Sequence, residues 1–334
     1  MFRITSYLLF LSAPLLVLAG LLPWNNDLAT NTDYDPATAR RFFDLAVASQ
    51  LGPNDDAKRQ QCFDKSWSDY NYQTVVVKTA VCDSKNNECQ MYIAYSAVKN
   101  NYVIAFRGTN GGSQLIVESI SSLNTYDAFQ AGTYNGGGRV NHYFYEGVRS
   151  LWPTIKANLG QTNSETTFFI TGHSLGGAMA SVTAARLSLE GLAPSNQIRL
   201  YTFGQPRTWD YQTATAFRDW VPYTWRIVHN SDPVPHGPPM DTSGAKTGPY
   251  HHTQEIWYNE KFDSFTRCST QSGEDGTCSD SLSDFKFIVD VVNSEHLHYF
   301  GVKVNDYGAA GCSSAFTHSL FAAFLVVFFK LFTQ

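Results

Sequence analysis

The chain has 334 residues, enough for one large α/β domain or two small ones, each able to bury a core. A formal net charge of -5 argues against nucleic acid as a partner and shows no basic face for a membrane surface. The aromatic content, 14%, suits a greasy binding region and an ordinary core equally well.

The first stretch reads as a targeting segment. Arg3 supplies a positive end, and Tyr7 to Leu22 is apolar, broken only by Ser12, Pro14 and Gly20. Val17 and Ala19 form a small-residue cleavage site, so residues 1–19 are expected to be a signal peptide and 20–312 a single folded domain. A membrane anchor is the alternative; the run is short for one and Pro14 interrupts it.

Asp35-Pro36 caps a helix that is expected to run to about Gln50 on Phe42, Phe43, Leu45, Ala46 and Val47. Val75–Val81, Met91–Ser96 and Tyr102–Phe106 read as three successive strands, the first two a hairpin. Phe144–Leu159 reads as a helix that Pro153 must end, kink or restart. From there strand (Thr166–Ile170), helix (Ala178–Glu190), strand (Arg199–Phe203), helix (Tyr211–Trp220) and strand (Trp225–Asn230) alternate. Such alternation predicts a largely parallel sheet with helices on its faces.

All six cysteines lie beyond the targeting segment, and an even number in a secreted chain implies disulfides. Cys82 and Cys89 flank a polar turn between two strands, and Cys268 and Cys278 flank a Ser/Gly/Thr loop, so each pair is expected to close locally. That leaves Cys62 with Cys312. A zinc site is the alternative, and no C-x-x-C spacing supports it. No N-x-[ST] sequon occurs, so N-glycosylation is not expected.

Gly172-His173-Ser174-Leu175-Gly176-Gly177 lies between the strand at 166–170 and the helix at 178–190. A serine on so sharp a strand-to-helix turn has its hydroxyl held out at the sheet edge, and flanking glycines avoid clashes. The alternative is a chance Gly-rich turn. A serine nucleophile needs a histidine base, and the base needs a carboxylate. Asp232 follows the strand at 225–230 on a Pro-stiffened loop, and His296 and His298 come later, giving the order Ser, Asp, His. Taken singly, a turn aspartate and two surface histidines are the commoner readings; jointly, in this order, they are not. Asp210 and Asp241 read as turn residues, His173 as packing under the elbow, and His236 as lining the cleft. The adjacent pair His251-His252 is a weak metal candidate, because neighbours do not share a face.

An oxyanion needs two donors. Leu175 at the helix start offers its N–H, and Thr109, after Arg107-Gly108, offers a second. Beyond Gly111-Gly112, Leu115, Ile116, Val117 and Ile120 mark a short amphipathic helix, either a hinged lid or a packed surface helix. At the C-terminus, Leu320–Phe329 is unbroken apolar sequence after small residues, so 313–334 resembles a GPI-attachment signal. A short tail anchor, or a tail without membrane role, are the alternatives.

Together these segments resemble the class 3 (fungal-type) lipase family of the α/β-hydrolases. The resemblance rests on Ala105–Thr109, Thr171–Gly177, Thr202–Arg207, His229–Pro235 and Glu295–Phe300, and spans roughly 30–312. It implies a central mostly parallel sheet with helices on both faces, a helical lid, and a secreted serine esterase acting on acylglycerols at an oil–water or membrane interface. No cofactor and no metal are expected. Carried over by position, Ser174 is the nucleophile, Asp232 the orienting acid, and Thr109 with Leu175 the oxyanion donors. The family pattern of acid, His, Leu-x-Tyr makes His296 the base and puts His298 at the variable position. The family's three disulfides resemble the pairing above. The lid lacks the family's frequent tryptophan, and the apolar tail is unusual in it. A phospholipase, a feruloyl-type esterase and a catalytically dead, membrane-tethered lipid-binding protein are the competing functions.

Overall fold

A computed structural model of the chain describes residues 33–83, 85–108, 116, 123–240, 248–282 and 292–313. Two helices, α1 (Pro36–Ala48) and α2 (Asp56–Trp67), precede strands β1 (Gln73–Val81), β2 (Glu88–Ser96) and β3 (Asn101–Phe106). Short strands β4 (Tyr126–Ala128) and β5 (Arg139–Asn141) lead into α3 (His142–Asn158), then β6 (Thr167–His173), α4 (Leu175–Leu189) and β7 (Ile198–Phe203). The chain continues through β8 (Trp209–Asp210), α5 (Tyr211–Trp220), β9 (Thr224–His229), β10 (Pro249–Tyr250), β11 (Glu255–Tyr258) and β12 (Phe265–Arg267). It closes on the ribbon β13 (His298–Tyr299) and β14 (Val302–Lys303) and helix α6 (Val304–Ala309).

The main sheet runs β1-β2-β3-β6-β7-β9-β11-β12. Its centre, β3-β6-β7-β9-β11, is parallel; β1-β2-β3 at one edge and β12 at the other are antiparallel. Side-chain alternation along β6 gives each face its own helices. Phe168 and Ile170 join the cluster of Phe144, Val148 and Leu151 from α3 and Ala178, Val182 and Ala185 from α4. Phe169 points to the opposite face, where its ring lies 4.8 Å from that of Phe42 on α1.

Local chemistry explains the boundaries. Asp35 caps α1 by accepting from Thr38 N at 2.8 Å, with Pro36 at the first helical position. Pro153 does not end or restart α3, as the sequence alone suggests; the helix is continuous through it. The buried stripe Phe144, Val148, Leu151 and Ile155 holds one helix face against the core, which offsets the missing N–H. The sequence reading misses α2 entirely. Of its residues only Arg59, Cys62, Phe63 and Trp67 are buried, too thin a stripe for the apolar period to show. Helix α4 starts at Leu175, earlier than expected, directly after the serine.

The three disulfides are Cys62–Cys312, Cys82–Cys89 and Cys268–Cys278. The long-range bridge lies beside Asp44 of α1, which is fully buried and accepts from Tyr307 Oη of α6 at 2.8 Å. Lys65 of α2 also donates to the Cys312 carbonyl at 2.7 Å. The start and end of the described domain are thereby fastened together.

Candidate active site

The elbow between β6 and α4 forces its serine into an unusual backbone. Ser174 has φ 59° and ψ -132°, a region that residues with a side chain rarely occupy. The turn is held by Ser174 N–H donating to Phe203 O at 2.8 Å and Gly177 N–H donating to Ser174 O at 2.9 Å. A Cβ at Gly172 would lie 2.3 Å from Gly176 C, and one at Gly176 would lie 2.2 Å from Phe106 O. Backbone therefore passes backbone where those glycines stand. Leu175 is the first residue of α4, where an N–H has no acceptor within the helix and the helix dipole favours negative charge. Gly108 approaches from β3; a Cβ there would come within 3.2 Å of Ser174 Cβ.

Asp232 sits on the turn after β9, its own N–H donating to His229 O at 2.8 Å. Its carboxylate is fully buried and faces three donors. Val234 N–H donates to Oδ1 at 2.9 Å and the Tyr299 hydroxyl to Oδ2 at 2.6 Å. His296 Nδ1 lies 3.1 Å from Oδ1 and 2.9 Å from Oδ2. Burial alone would raise the Asp232 pKa, but the neighbouring His296 and these donors hold it below the usual carboxylate range. Burial and the adjacent carboxylate push the Tyr299 hydroxyl the other way, well above its ordinary value, so it stays a donor.

His296 ends a π-helical turn, Val292–His296, just before β13, rather than lying on a plain loop. Both His296 and Asp232 are fully buried, and Ser174 is 1% exposed. The serine is thus buried along with the pair beside it. Among the described residues, neither Ser174 Oγ nor His296 Nε2 has a hydrogen-bond partner. Gly204, at φ +59°, flanks the Asp–His pair: a Cβ there would be 2.8 Å from Asp232 Oδ2 and from His296 Nδ1.

Ile116 is 2% exposed and belongs to the same apolar cluster as Leu123, Leu175, Val234, Val292 and Leu297. Leu115, Val117 and Ile120 of the expected lid, Thr109 of the expected oxyanion pair, and Asp241 lie outside the described residues.

Other candidates prove to be scaffolding. Asp210 caps α5, accepting from Thr213 N–H at 2.9 Å. The rings of His251 and His252 are taken up by Pro235 O at 2.7 Å and Thr253 O at 2.9 Å. His298, half-buried on β13, is not the residue beside Asp232. His236 bonds Asp280 at 3.0 Å within a buried ionic group that the sequence reading misses. There Arg207 grips Glu274 through Nε at 2.9 Å and Nη2 at 2.7 Å, and also donates to Pro238 O at 3.1 Å. The two carboxylates raise the Arg207 pKa despite its burial, and this group fastens the Asp232 loop to the Cys268–Cys278 loop. Tyr299 and Gly204 also escape bottom-up reading, although Tyr299 occupies the Leu-x-Tyr end of the resemblance.

A mostly parallel sheet with a serine on a glycine-flanked strand-to-helix elbow defines an α/β-hydrolase. Among solved structures, lipase II from Rhizopus niveus superposes with a TM-score of 0.63 at 19% identity, covering 80% of this chain and 95% of that one. A mono- and diacylglycerol lipase from Aspergillus oryzae gives 0.62 at 17%, covering 82% and 99%. These likenesses are of fold. In sequence, a family model described as lipase (class 3) matches residues 103–242. A lipase of Caenorhabditis elegans is 33% identical over 313 residues, 86% of this chain and 85% of the relative. A lipase of Rhizomucor miehei is 39% identical over 140 residues, 40% of this chain and 34% of the relative. The chain belongs to the class 3 lipase family. It is a lipase, a carboxylic ester hydrolase.

Proposed function

We propose that this protein is a secreted acylglycerol lipase that works through a triad of Ser174, His296 and Asp232. The observation that carries the reading is the buried contact of His296 Nδ1 with both oxygens of the Asp232 carboxylate, which leaves the opposite ring nitrogen without a partner among the described residues and available to act as a base. In that scheme His296 Nε2 takes the Ser174 proton as Oγ attacks the ester carbonyl. The Leu175 N–H and Thr109 stabilise the oxyanion. The tetrahedral species collapses to an acyl-enzyme, and His296 returns the proton to the leaving alcohol. Water then attacks with the same base, and the fatty acid leaves as Ser174 regains its proton. Asp232 stays ionised throughout, in keeping with its depressed pKa.

Closure of the site supports a lid. Ser174 is 1% exposed and Ile116 is buried in the apolar cluster that also holds Leu175, which supports a covering element that opens to admit an acyl chain. Three disulfides support an oxidising, extracellular destination. We also keep the proposal that 313–334 is a GPI-attachment signal, which lies almost wholly outside the described residues; release by phospholipase C from expressing cells tests it. The central test is hydrolysis of triolein, phosphatidylcholine and p-nitrophenyl butyrate side by side, with a serine-reactive phosphonate. Preferred turnover of triolein, lost with Ser174→Ala together with phosphonate labelling, is expected. Preference for phosphatidylcholine or the soluble ester would make this a phospholipase or a simple esterase, and labelling that survives in Ser174→Ala would reject the nucleophile.

A further inference from the structure

His173 is the last residue of β6, directly before the proposed nucleophile, and its ring is spent on His296. It is 3% exposed. Its imidazole stacks on that of His296, with centroids 4.5 Å apart and planes 28° from parallel. Its Nε2 lies 2.8 Å from the main-chain oxygen of the same residue. A carbonyl only accepts, so Nε2 carries the proton and the tautomer is fixed. One side chain therefore grips His296 twice, by ring face and by backbone. The ring of Tyr299 also packs against that of His173, 5.5 Å away and at 74° to it.

The geometry of His296 leaves a task for such a neighbour. The bond from Nδ1 to Asp232 fixes a distance but leaves the ring free to rock about that bond, and Nε2 has no partner among the described residues to stop it. A stacked ring stops it. Burial, and then the adjacent His296, push the His173 pKa down to about 3, so this neighbour stays neutral when an imidazolium forms beside it.

We infer that His173 is a positioning residue: it sets the plane and main chain of His296 so that one ring nitrogen faces Asp232 and the other the Ser174 hydroxyl. This rests on His296 being the base. Misplacement of a base by an ångström costs about 100-fold in rate, so the loss of both grips is expected to show in kcat rather than in KM.

The test compares His173→Leu, His173→Phe and His173→Gln with Ser174→Ala and His296→Ala in the full chain. Readouts are kcat and KM on p-nitrophenyl butyrate, urea unfolding, and the downfield proton resonance of the Asp232–His296 hydrogen bond. We expect His173→Leu to lose about 10- to 100-fold in kcat with KM within about twofold, and to broaden the resonance. His173→Phe, which keeps the stack, and His173→Gln, which keeps an N–H donor, should each recover part of both. Wild-type kcat with a sharp resonance in a folded His173→Leu overturns the inference. So does a loss of activity that only follows the unfolded fraction while the resonance stays sharp. If Ser174→Ala still turns over, the triad reading fails separately, and the resonance alone decides whether His173 orients the pair.

Discussion

Tyr299 and Asp232 share the shortest of the bonds to the site's carboxylate, hydroxyl to Oδ2 at 2.6 Å, and the same hydroxyl accepts from His229 N–H at 3.3 Å. Tyr299 thus ties the end of β9 to the acid that follows it. The Tyr299→Phe variant is expected to lose about 1.5–3 kcal/mol at neutral pH, the range for a hydrogen bond to a charged group. The pH dependence has a definite sign. A carboxyl whose native pKa is depressed contributes stability above its unfolded pKa of about 3.9, and loses it as pH falls through the native value. Tyr299→Phe should therefore differ most from wild type at pH 7 and least in strong acid. Equal differences at both ends of a urea series against pH would show that the Tyr299 hydroxyl contributes independently of the charge on Asp232.

Gly204 is a position where one methyl group should stop the enzyme. Its φ of +59° disfavours any side chain, and the added carbon would press on Asp232 Oδ2 and His296 Nδ1 at 2.8 Å. Gly204→Ala is expected to lower kcat by about 100-fold and to cost about 1–3 kcal/mol in strain. A folded Gly204→Ala with near-normal kcat would mean that the pair tolerates displacement.

The backbone of Ser174 predicts a trade of activity for stability. Its φ of 59° and ψ of -132° suit glycine, and relieving such strain is worth about 1–3 kcal/mol, against about 0.5–1 kcal/mol for glycine's extra unfolded freedom. Ser174→Gly should be inactive and more stable than Ser174→Ala, which keeps the strain. Thermal unfolding of the two side by side decides it; the reverse order would deny that the elbow is strained.

The two histidines of the His296-Leu297-His298 segment should separate cleanly. His296→Ala is expected to match Ser174→Ala, because members of a triad act as a unit. His298→Ala should cost far less, because it is His296 whose Nδ1 meets the Asp232 carboxylate. Steady-state kinetics on a soluble ester gives the ranking.

Local patterns with strong physical causes were readable from sequence. The alternation from β6 to β9, the capped start of α1 and the bounds of α5 follow from apolar period and caps. Serine chemistry asks for an acid and a histidine somewhere in the chain, which offers Asp232 with His296 or His298; the choice of His296 comes from the family pattern. What escaped depends on contacts distant in sequence. Helix α2 shows too little apolar face, and β11 carries the buried Glu255, which reads as surface until Arg226 appears beside it at 3.4 Å. Tyr299 and Gly204 gain their meaning only where β7, β9 and the last turn converge. The closed state of the serine was likewise invisible, since burial of Ile116 and Ser174 is a property of packing and not of motif.

The bridge between Cys62 and Cys312 also orders events in time. Its partners are 250 residues apart, and the helices it fastens, α1, α2 and α6, lie at the two ends of the described domain. A chain synthesised from its N-terminus at about 5–20 residues per second leaves Cys62 a reactive thiol for about 10–50 s before its partner exists. During that window Cys82 and Cys89 become available almost together, so a mispairing with Cys62 competes with the local loop. Maturation of this enzyme is therefore expected to depend on a disulfide isomerase more than its final stability does, and a secretory compartment poor in that activity should return inactive, mispaired chains rather than unfolded ones.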